Sequence, residues 1–277
     1  SKSEPVMFST SASVDIGTQS DLGKLLGEAL ITNVFVGIET PSTESLIGAG
    51  KYQNLKSDIR RDVELLHNYG IDVAAGIVVG FDHDDRTIFR RQVEFLQELS
   101  IPVCFAGMIM APDGTELKAR LQREGRWLPS DDIKDHTYDT NVIPKLMTHD
   151  ELRRGYFWMM NELYREDNFL ERVQGALARF PEPSALARRY KPREMRHPLK
   201  FLSVMSRLFG YYLFGGASLR RMLRRYMLVL LRYRKHVALA LYWLIAYKHF
   251  REMLIRHGVF RDESCEECRR EHEFIQG

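Results

Sequence analysis

The chain has 277 residues, 44% of them hydrophobic and 28% charged, with a formal net charge of +3. That is enough apolar material for a sizeable core in one large or two modest domains, and it excludes a disordered chain. Three cysteines exclude a disulfide scaffold and suit a reducing, cytoplasmic setting, and no apolar run reaches the roughly 18 residues of a spanning helix.

The small net charge hides an asymmetry. Residues 1–187 carry 20 Lys and Arg against 29 Asp and Glu, residues 188–261 carry 18 against 2, and the last 16 residues carry 2 against 6. An acidic front and a basic, apolar back are physically different objects. No signal peptide is visible, and a start at Ser1 rather than Met points to a cut or processed terminus.

In the front half, Val6, Met7 and Phe8 form a short apolar run. Residues 21–29 read as a helix with Leu22, Leu25 and Leu26 on its apolar face. Residues 33–38 are a nearly continuous apolar run, the pattern of a strand buried on both faces, stopped by the polar turn from Glu39 to Ser42. Leu55, Ile59, Val63 and Leu66 predict one helix, ended by Gly70 in a left-handed cap. Residues 73–79 give the next strand, 87–99 a helix with Phe89, Val93 and Leu96 inward, 103–110 a strand, and 116–124 a helix closed by Gly125. Strand–helix units of about 30 residues mean parallel βαβ connections. About four strands precede residue 128, half of what a full (β/α) barrel needs. The expected architecture is therefore α/β: a small open sheet or an incomplete parallel (β/α) barrel over 1–128, then an α-helical C-terminal domain over 129–277. In either form the chemistry belongs at the carboxyl ends of the strands, which are Glu39-Thr40, Gly80-Phe81-Asp82, and Ala111 to Thr115.

Those strand ends resemble a known family. Val36-Gly37-Ile38-Glu39-Thr40-Pro41 is similar to the fourth-strand region of radical SAM enzymes, especially those with an N-terminal cobalamin-binding domain. Gly76-Ile77-Val78-Val79-Gly80-Phe81-Asp82 resembles their fifth-strand glycine motif. Pro112-Asp113-Gly114-Thr115-Glu116-Leu117 resembles the turn after strand six, with Asp113 inserted. Gly50-Lys51-Tyr52-Gln53-Asn54 and Asn141-Val142-Ile143-Pro144-Lys145 match one subgroup, whose barrel is followed by a helical domain of unknown function. The resemblance spans nearly the whole chain and rests on the order and spacing of motifs that are individually weak.

The resemblance implies cleavage of S-adenosylmethionine at a [4Fe-4S] cluster, with cobalamin in some members, and methyl transfer or ring rearrangement on a hydrophobic substrate. At the matching positions, Glu39 and Thr40 end a strand where a carboxylate accepts hydrogen bonds from a ribose or an ammonium group. Gly76 and Gly80 let backbone approach a planar base, and Val78, Val79 and Phe81 offer it apolar contact. Asp82 orients a polar group near the mouth, and Gly114 and Thr115 shape the rim. The bland readings stand beside these: a strand-end carboxylate near a helix cap, glycines required by tight turns, and an acidic loop, Asp82 to Asp84, complementing a helix dipole.

One departure limits the implication. The family holds its cluster with Cys-x-x-x-Cys-x-x-Cys after the first barrel strand, and this chain has no such motif. Ser11 also stands where the subgroup has Glu. The expectation is the C-terminal part of an enzyme, inactive without an N-terminal barrel and cobalamin-binding part supplied in cis or in trans. Cys104 reads as a small buried hydrophobe. Cys265, Cys268 and His272 offer three zinc ligands without an evident fourth, and His67, His136 and His149 are isolated.

In the back half, residues 128–146 read as a long loop. Thr148 and Glu151 form a capping box, opening a helix with Leu152, Tyr156, Met159 and Leu163 on one face. Residues 169–179 form another, stopped by Pro181 and Pro183. Residues 197–257 read as three basic amphipathic helices. Their apolar stripes are Phe201, Val204, Met205 and Leu208; then Leu219, Met222, Leu223, Tyr226 and Leu230; then Leu239, Trp243, Tyr247 and Phe250. This region packs on the acidic half or lies peripherally on an anionic membrane surface; nucleic acid is the weakest reading, because no base-reading motif is present. A non-catalytic membrane-surface or partner-binding protein built on these helices is the alternative to the enzyme.

Overall fold

The computed structural model describes residues 7–17, 20–129, 138–183 and 198–257. Four strands, β1 (Phe8–Ala12), β2 (Ile31–Glu39), β3 (Asp72–Val79) and β4 (Val103–Met108), form one parallel sheet in chain order. Between them lie α1 (Ser20–Glu28), α2 (Thr43–Gly48), α3 (Tyr52–Lys56), α4 (Ile59–Asn68) and α5 (Ile88–Leu99). After β4 come α6 (Glu116–Arg123), α7 (His149–Leu163), α8 (Glu166–Arg179), α9 (Pro198–Phe214), α10 (Ala217–Arg232) and α11 (Val237–Arg256). The α/β class, the parallel sheet and the helical remainder follow the sequence expectation.

One hydrophobic core runs from Val34 on β2 to Leu254 on α11. Alternation in β2 sends Val34, Val36 and Ile38 into it, all fully buried, while Phe35 stays 37% exposed on the opposite face. The expected burial on both faces is therefore met on one face only.

Three sequence expectations are corrected locally. Leu22 and Leu25 of α1 are exposed, whereas Leu26 is partly buried against the core as expected, and the helix also docks through Gly23 and Gly27, where Tyr69 lies too close to admit a Cβ. The single helix expected from Leu55 to Leu66 is two, because Asp58 accepts the Arg61 N–H and caps a new start. Val204 on α9 is exposed, so the inward residues there include Leu208 and Tyr212, with Phe201 and Met205 partly covered. The capping box of α7 is present as expected.

The helical half is fastened to the sheet in two places. On the free edge of β4, the Tyr164 hydroxyl donates to Cys104 O at 2.7 Å and accepts its N–H at 3.4 Å, and the Tyr156 hydroxyl donates to Ala106 O at 3.1 Å. Burial pushes the Cys104 thiol up, so this cysteine is an inert core residue. On the face that carries Phe35, α11 crosses the lower half of the sheet. There the Trp243 indole N–H donates to Asp72 Oδ2 at 3.1 Å, the Asn33 amide donates to the same oxygen at 3.0 Å, and Phe250 meets Phe105 edge-on at 5.3 Å. Among the described residues, no helix is long and apolar enough to cross a membrane.

Candidate functional site

With the lower half of that face covered, its upper half is floored by small residues. Gly37, Gly76 and Phe105 are in register across β2, β3 and β4, with Val78 opposite Gly107 one step higher. A Cβ on Gly107 would meet nothing within 4 Å, whereas one on Gly76 would lie 2.7 Å from the Phe35 ring. Gly76 is therefore roofed by Phe35, and Val78 and Gly107 are the more open part of the floor.

At the carboxyl ends of the strands lies a cavity of about 780 Å³, lined by residues including Lys51, Gly80, Phe81, Asp82, Arg120 and Val142. Its size is in the range of small-molecule sites. The β3 end is built by one buried carboxylate. Asp84 Oδ2 accepts the N–H groups of Gly80 and Phe81 at 2.9 and 3.0 Å, and Oδ1 accepts the Ser45 hydroxyl at 2.6 Å. Gly80 has φ +98°, and a Cβ there would lie 2.8 Å from Leu152 Cδ2, so glycine is required by both backbone and space. Burial raises the Asp84 carboxyl despite these hydrogen bonds.

Glu39 ends β2 at φ +67°, a left-handed conformation that costs a non-glycine residue about 1–2 kcal/mol. Its carboxylate accepts Lys51 Nζ at 2.8 Å and so meets the cavity through a cavity-lining lysine. Two amides hold the bend. Asn54 Nδ2 donates to Gly37 O and Ile38 O at 2.9 and 3.0 Å, and Gln92 Nε2 donates to Glu39 O at 2.9 Å. Thr40 is fully buried, its hydroxyl accepting the Ser42 N–H at 3.2 Å.

Asp82 faces the cavity but is already engaged. It pairs with Arg120 at 2.5 Å and Arg126 at 2.7 Å, with Lys145 at 3.8 Å. Burial alone would raise its carboxyl; the Arg126 and Arg120 hydrogen bonds outweigh that and hold it below the usual range. The net effect is a wall with more cation than anion. Gly114 and Thr115 are not in the lining. Gly114 turns the chain at φ +78°, and Thr115 caps α6 by accepting the Lys118 N–H at 3.2 Å. Asn141 staples the roof by exchanging two hydrogen bonds with the Ala111 backbone at 2.8 and 2.9 Å.

Of the residues expected at a cofactor site, the structure thus brings Gly80, Phe81 and Asp82 to the cavity wall and Glu39 to its edge through Lys51. Val78 lies on the open floor, and Thr40, Gly76, Gly114 and Thr115 serve turns, caps and packing. The pinning residues Asn54, Gln92, Asp84, Arg120 and Arg126 complete the arrangement. Gln92 had a legible signal, an amide between Phe89 and Val93 on a helix's buried face. The arginines had none, since their meeting at Asp82 joins residues 38 and 44 positions apart.

Among the described residues, no group of three or more His, Cys, Asp or Glu is placed to hold a metal ion. His67 is buried beside Phe180 and held neutral, its pKa lowered to about 3 by burial. His149 pairs with Asp139 at 3.1 Å. His136, Cys265, Cys268 and His272 lie outside the described residues.

Residues 115–260, from the cap of α6 past the end of α11, match the family model described as "Domain of unknown function (DUF4070)". The chain belongs to the DUF4070 family. The matched stretch contains the Asn141 staple, the tyrosines on the β4 edge and all three basic helices. Proteins similar to this DUF4070 chain include an uncharacterized methyltransferase of Synechocystis, 32% identical over 170 residues, and the hopanoid C-2 methylase of Rhodopseudomonas palustris, 30% identical over 167. Another is the bacteriochlorophyllide d C-12(1)-methyltransferase of Chlorobaculum tepidum, 21% identical over 170. The alignments cover 60–61% of this chain and 31–37% of those proteins, so the chain spans about a third of the length of the relatives it matches.

Proposed function

We propose that this chain is the C-terminal part of a radical SAM methylase of the cobalamin-binding type, and that its strand ends form part of the S-adenosylmethionine pocket. The observation that carries the reading is the cavity at the carboxyl ends of β3 and β4, bounded on one side by Gly80 to Asp82 and roofed by the DUF4070 half. The names of the methyltransferase relatives support methyl transfer, and two of those names specify a hopanoid and a bacteriochlorophyllide as targets.

The residues present fit a nucleoside bearing an amino acid. Phe81, Ile109 and Val142 supply apolar walls, the Gly80 backbone allows close approach, and Lys51 and Arg120 offer cations to a carboxylate. Glu39, released from Lys51, can accept from a hydroxyl or an ammonium group. S-adenosylmethionine would supply the methyl group or the adenosyl radical. This chain's own contribution is to bind, to orient and to exclude water from the strand ends. The residues do not fit an iron–sulfur cluster: no three-cysteine run exists in the sequence, and Cys104 is sealed under Tyr164. Cluster and cobalamin therefore belong, in this reading, to the two thirds of the relatives that this chain does not span.

The helices behind the non-catalytic alternative dock on the sheet through Trp243 and on α8 through Arg225. Equilibrium dialysis of S-adenosylmethionine against the chain joined to an N-terminal half carrying the three-cysteine motif tests the proposal. Saturable binding, weakened about tenfold or more by Glu39→Gln, is expected from loss of one charged hydrogen-bond partner. A joined, folded protein that binds no S-adenosylmethionine overturns it.

A further inference from the structure

Helices α9 and α10 form a hairpin through Gly215 and Gly216, and their outward faces do not match a surface left in water. On α9, which has no acidic residue, Leu199, Leu202 and Phe214 are 82%, 62% and 88% exposed, on the side opposite buried Leu208 and Tyr212. A helix apolar on both sides is expected between two apolar surroundings. On α10 the outward side carries Arg220 and Arg224 in its first half, then Leu228 and Leu231, 67% and 70% exposed. The two-residue turn folds the helices back on each other. The two helices pack against each other, and each carries an exposed leucine pair, Leu199 and Leu202 on α9 and Leu228 and Leu231 on α10.

Residues 198–257 hold twelve Lys and Arg and a single acid, Glu252. The inward members are used: Arg225 and Arg221 pair with Glu166 at 3.2 and 3.3 Å. Arg220, Arg224 and Arg234 are exposed and have no acidic partner among the described residues. Arginines with no acid among them, beside unburied leucines and a phenylalanine, disfavour a second copy, whose matching face would bring like charges together. Nucleic acid would satisfy the arginines and leave the leucines in water. One partner uses both: a bilayer with anionic headgroups over an acyl boundary.

We propose that the α9–α10 hairpin is a peripheral docking surface for an anionic lipid bilayer, with Leu199, Leu202, Leu228 and Leu231 entering the headgroup–acyl boundary and Arg220 and Arg224 held at the phosphates. The assignment is independent of the cavity and its ligand.

The test is flotation of the 277-residue chain with phosphatidylcholine vesicles, with and without phosphatidylglycerol, at low and high salt. Binding to the anionic vesicles is expected, by about fivefold more per engaged cation than to neutral ones, and falling as salt rises. Leu199→Ser/Leu202→Ser/Leu228→Ser/Leu231→Ser changes only exposed side chains. It should lower binding about tenfold or more while leaving the circular dichroism and urea midpoint unchanged. Arg220→Glu/Arg224→Glu should abolish the preference for anionic vesicles. No vesicle binding at low salt overturns the proposal. So does binding that both variants retain, or self-association or RNA binding without vesicle binding.

Discussion

Substituting Asp72 by asparagine probes the joint between the helical half and the sheet. Asp72 is fully buried and, by desolvation, its carboxyl is raised from the ordinary 3.8 to about 6, in spite of hydrogen bonds from Trp243 and Asn33. A folded-state value above the unfolded one means that the folded protein holds the proton between about pH 4 and 6, where the unfolded chain has released it. Stability from this group is therefore greatest below about pH 4 and is lost as pH rises through 6. Two units at 1.36 kcal/mol each make the loss about 3 kcal/mol. Asparagine preserves an acceptor for Trp243 and Asn33 and never ionises. Its amide hydrogens inherit the unpaired position of Asp72 Oδ1, which adds a cost that does not vary with pH. The difference in unfolding free energy between the variant and the parent should shift in the variant's favour by up to about 3 kcal/mol from pH 4 to pH 7.5. Urea unfolding followed by tryptophan fluorescence across that range measures it. Two stability curves running parallel in pH would refute the reasoning.

Gly80→Ala forces a Cβ against Leu152 at a φ that suits glycine, and should cost about 2–4 kcal/mol in urea unfolding; a loss below half a kcal/mol would show that the loop gives way freely. Asp84→Ala strands two backbone N–H groups and the Ser45 hydroxyl, and should cost about 3 kcal/mol or more, whereas Asp84→Asn, able to accept both N–H groups and donate to Ser45, should cost only about 1. Equal losses for the two variants would contradict that hydrogen-bond assignment. Tyr164→Phe removes the partner of the Cys104 backbone and should cost about 1–3 kcal/mol while speeding amide exchange at Cys104; unchanged exchange there would argue against the edge contact.

The sheet was legible because its signals are local. Apolar runs such as Val34 to Ile38 and the glycines after them place strands and turns within a few residues, and the Thr148–Glu151 box fixes the start of α7. What failed to show were choices made by tertiary partners. Leu22 and Leu25 of α1 satisfy helical periodicity as well as Leu26 does, yet only Leu26 reaches the core, because Tyr69 packs against the glycines beside them. Asp82 has the type and place of a ligand group, but Arg120 and Arg126 converge on it from a helix and a loop. Thr115 reads equally as pocket rim or helix cap, and its hydrogen bond from the Lys118 N–H separates the two. The α9 stripe was misread at Val204 for a related reason: a helix apolar all round gives no sequence signal for which side turns inward.

The two edges of the sheet are unlike. Along β4, phenol oxygens from α7 and the residue after it occupy the backbone groups that another strand would need. Beside β1, no described residue does so, and Phe8, its first residue, is exposed. Growth of the sheet is thus blocked on one flank and permitted on the other, which gives the fold a direction. Among the described residues, an additional strand, whether from the same polypeptide or from a stranger, has one open berth, and an open berth of that kind is where clumping in a test tube would begin.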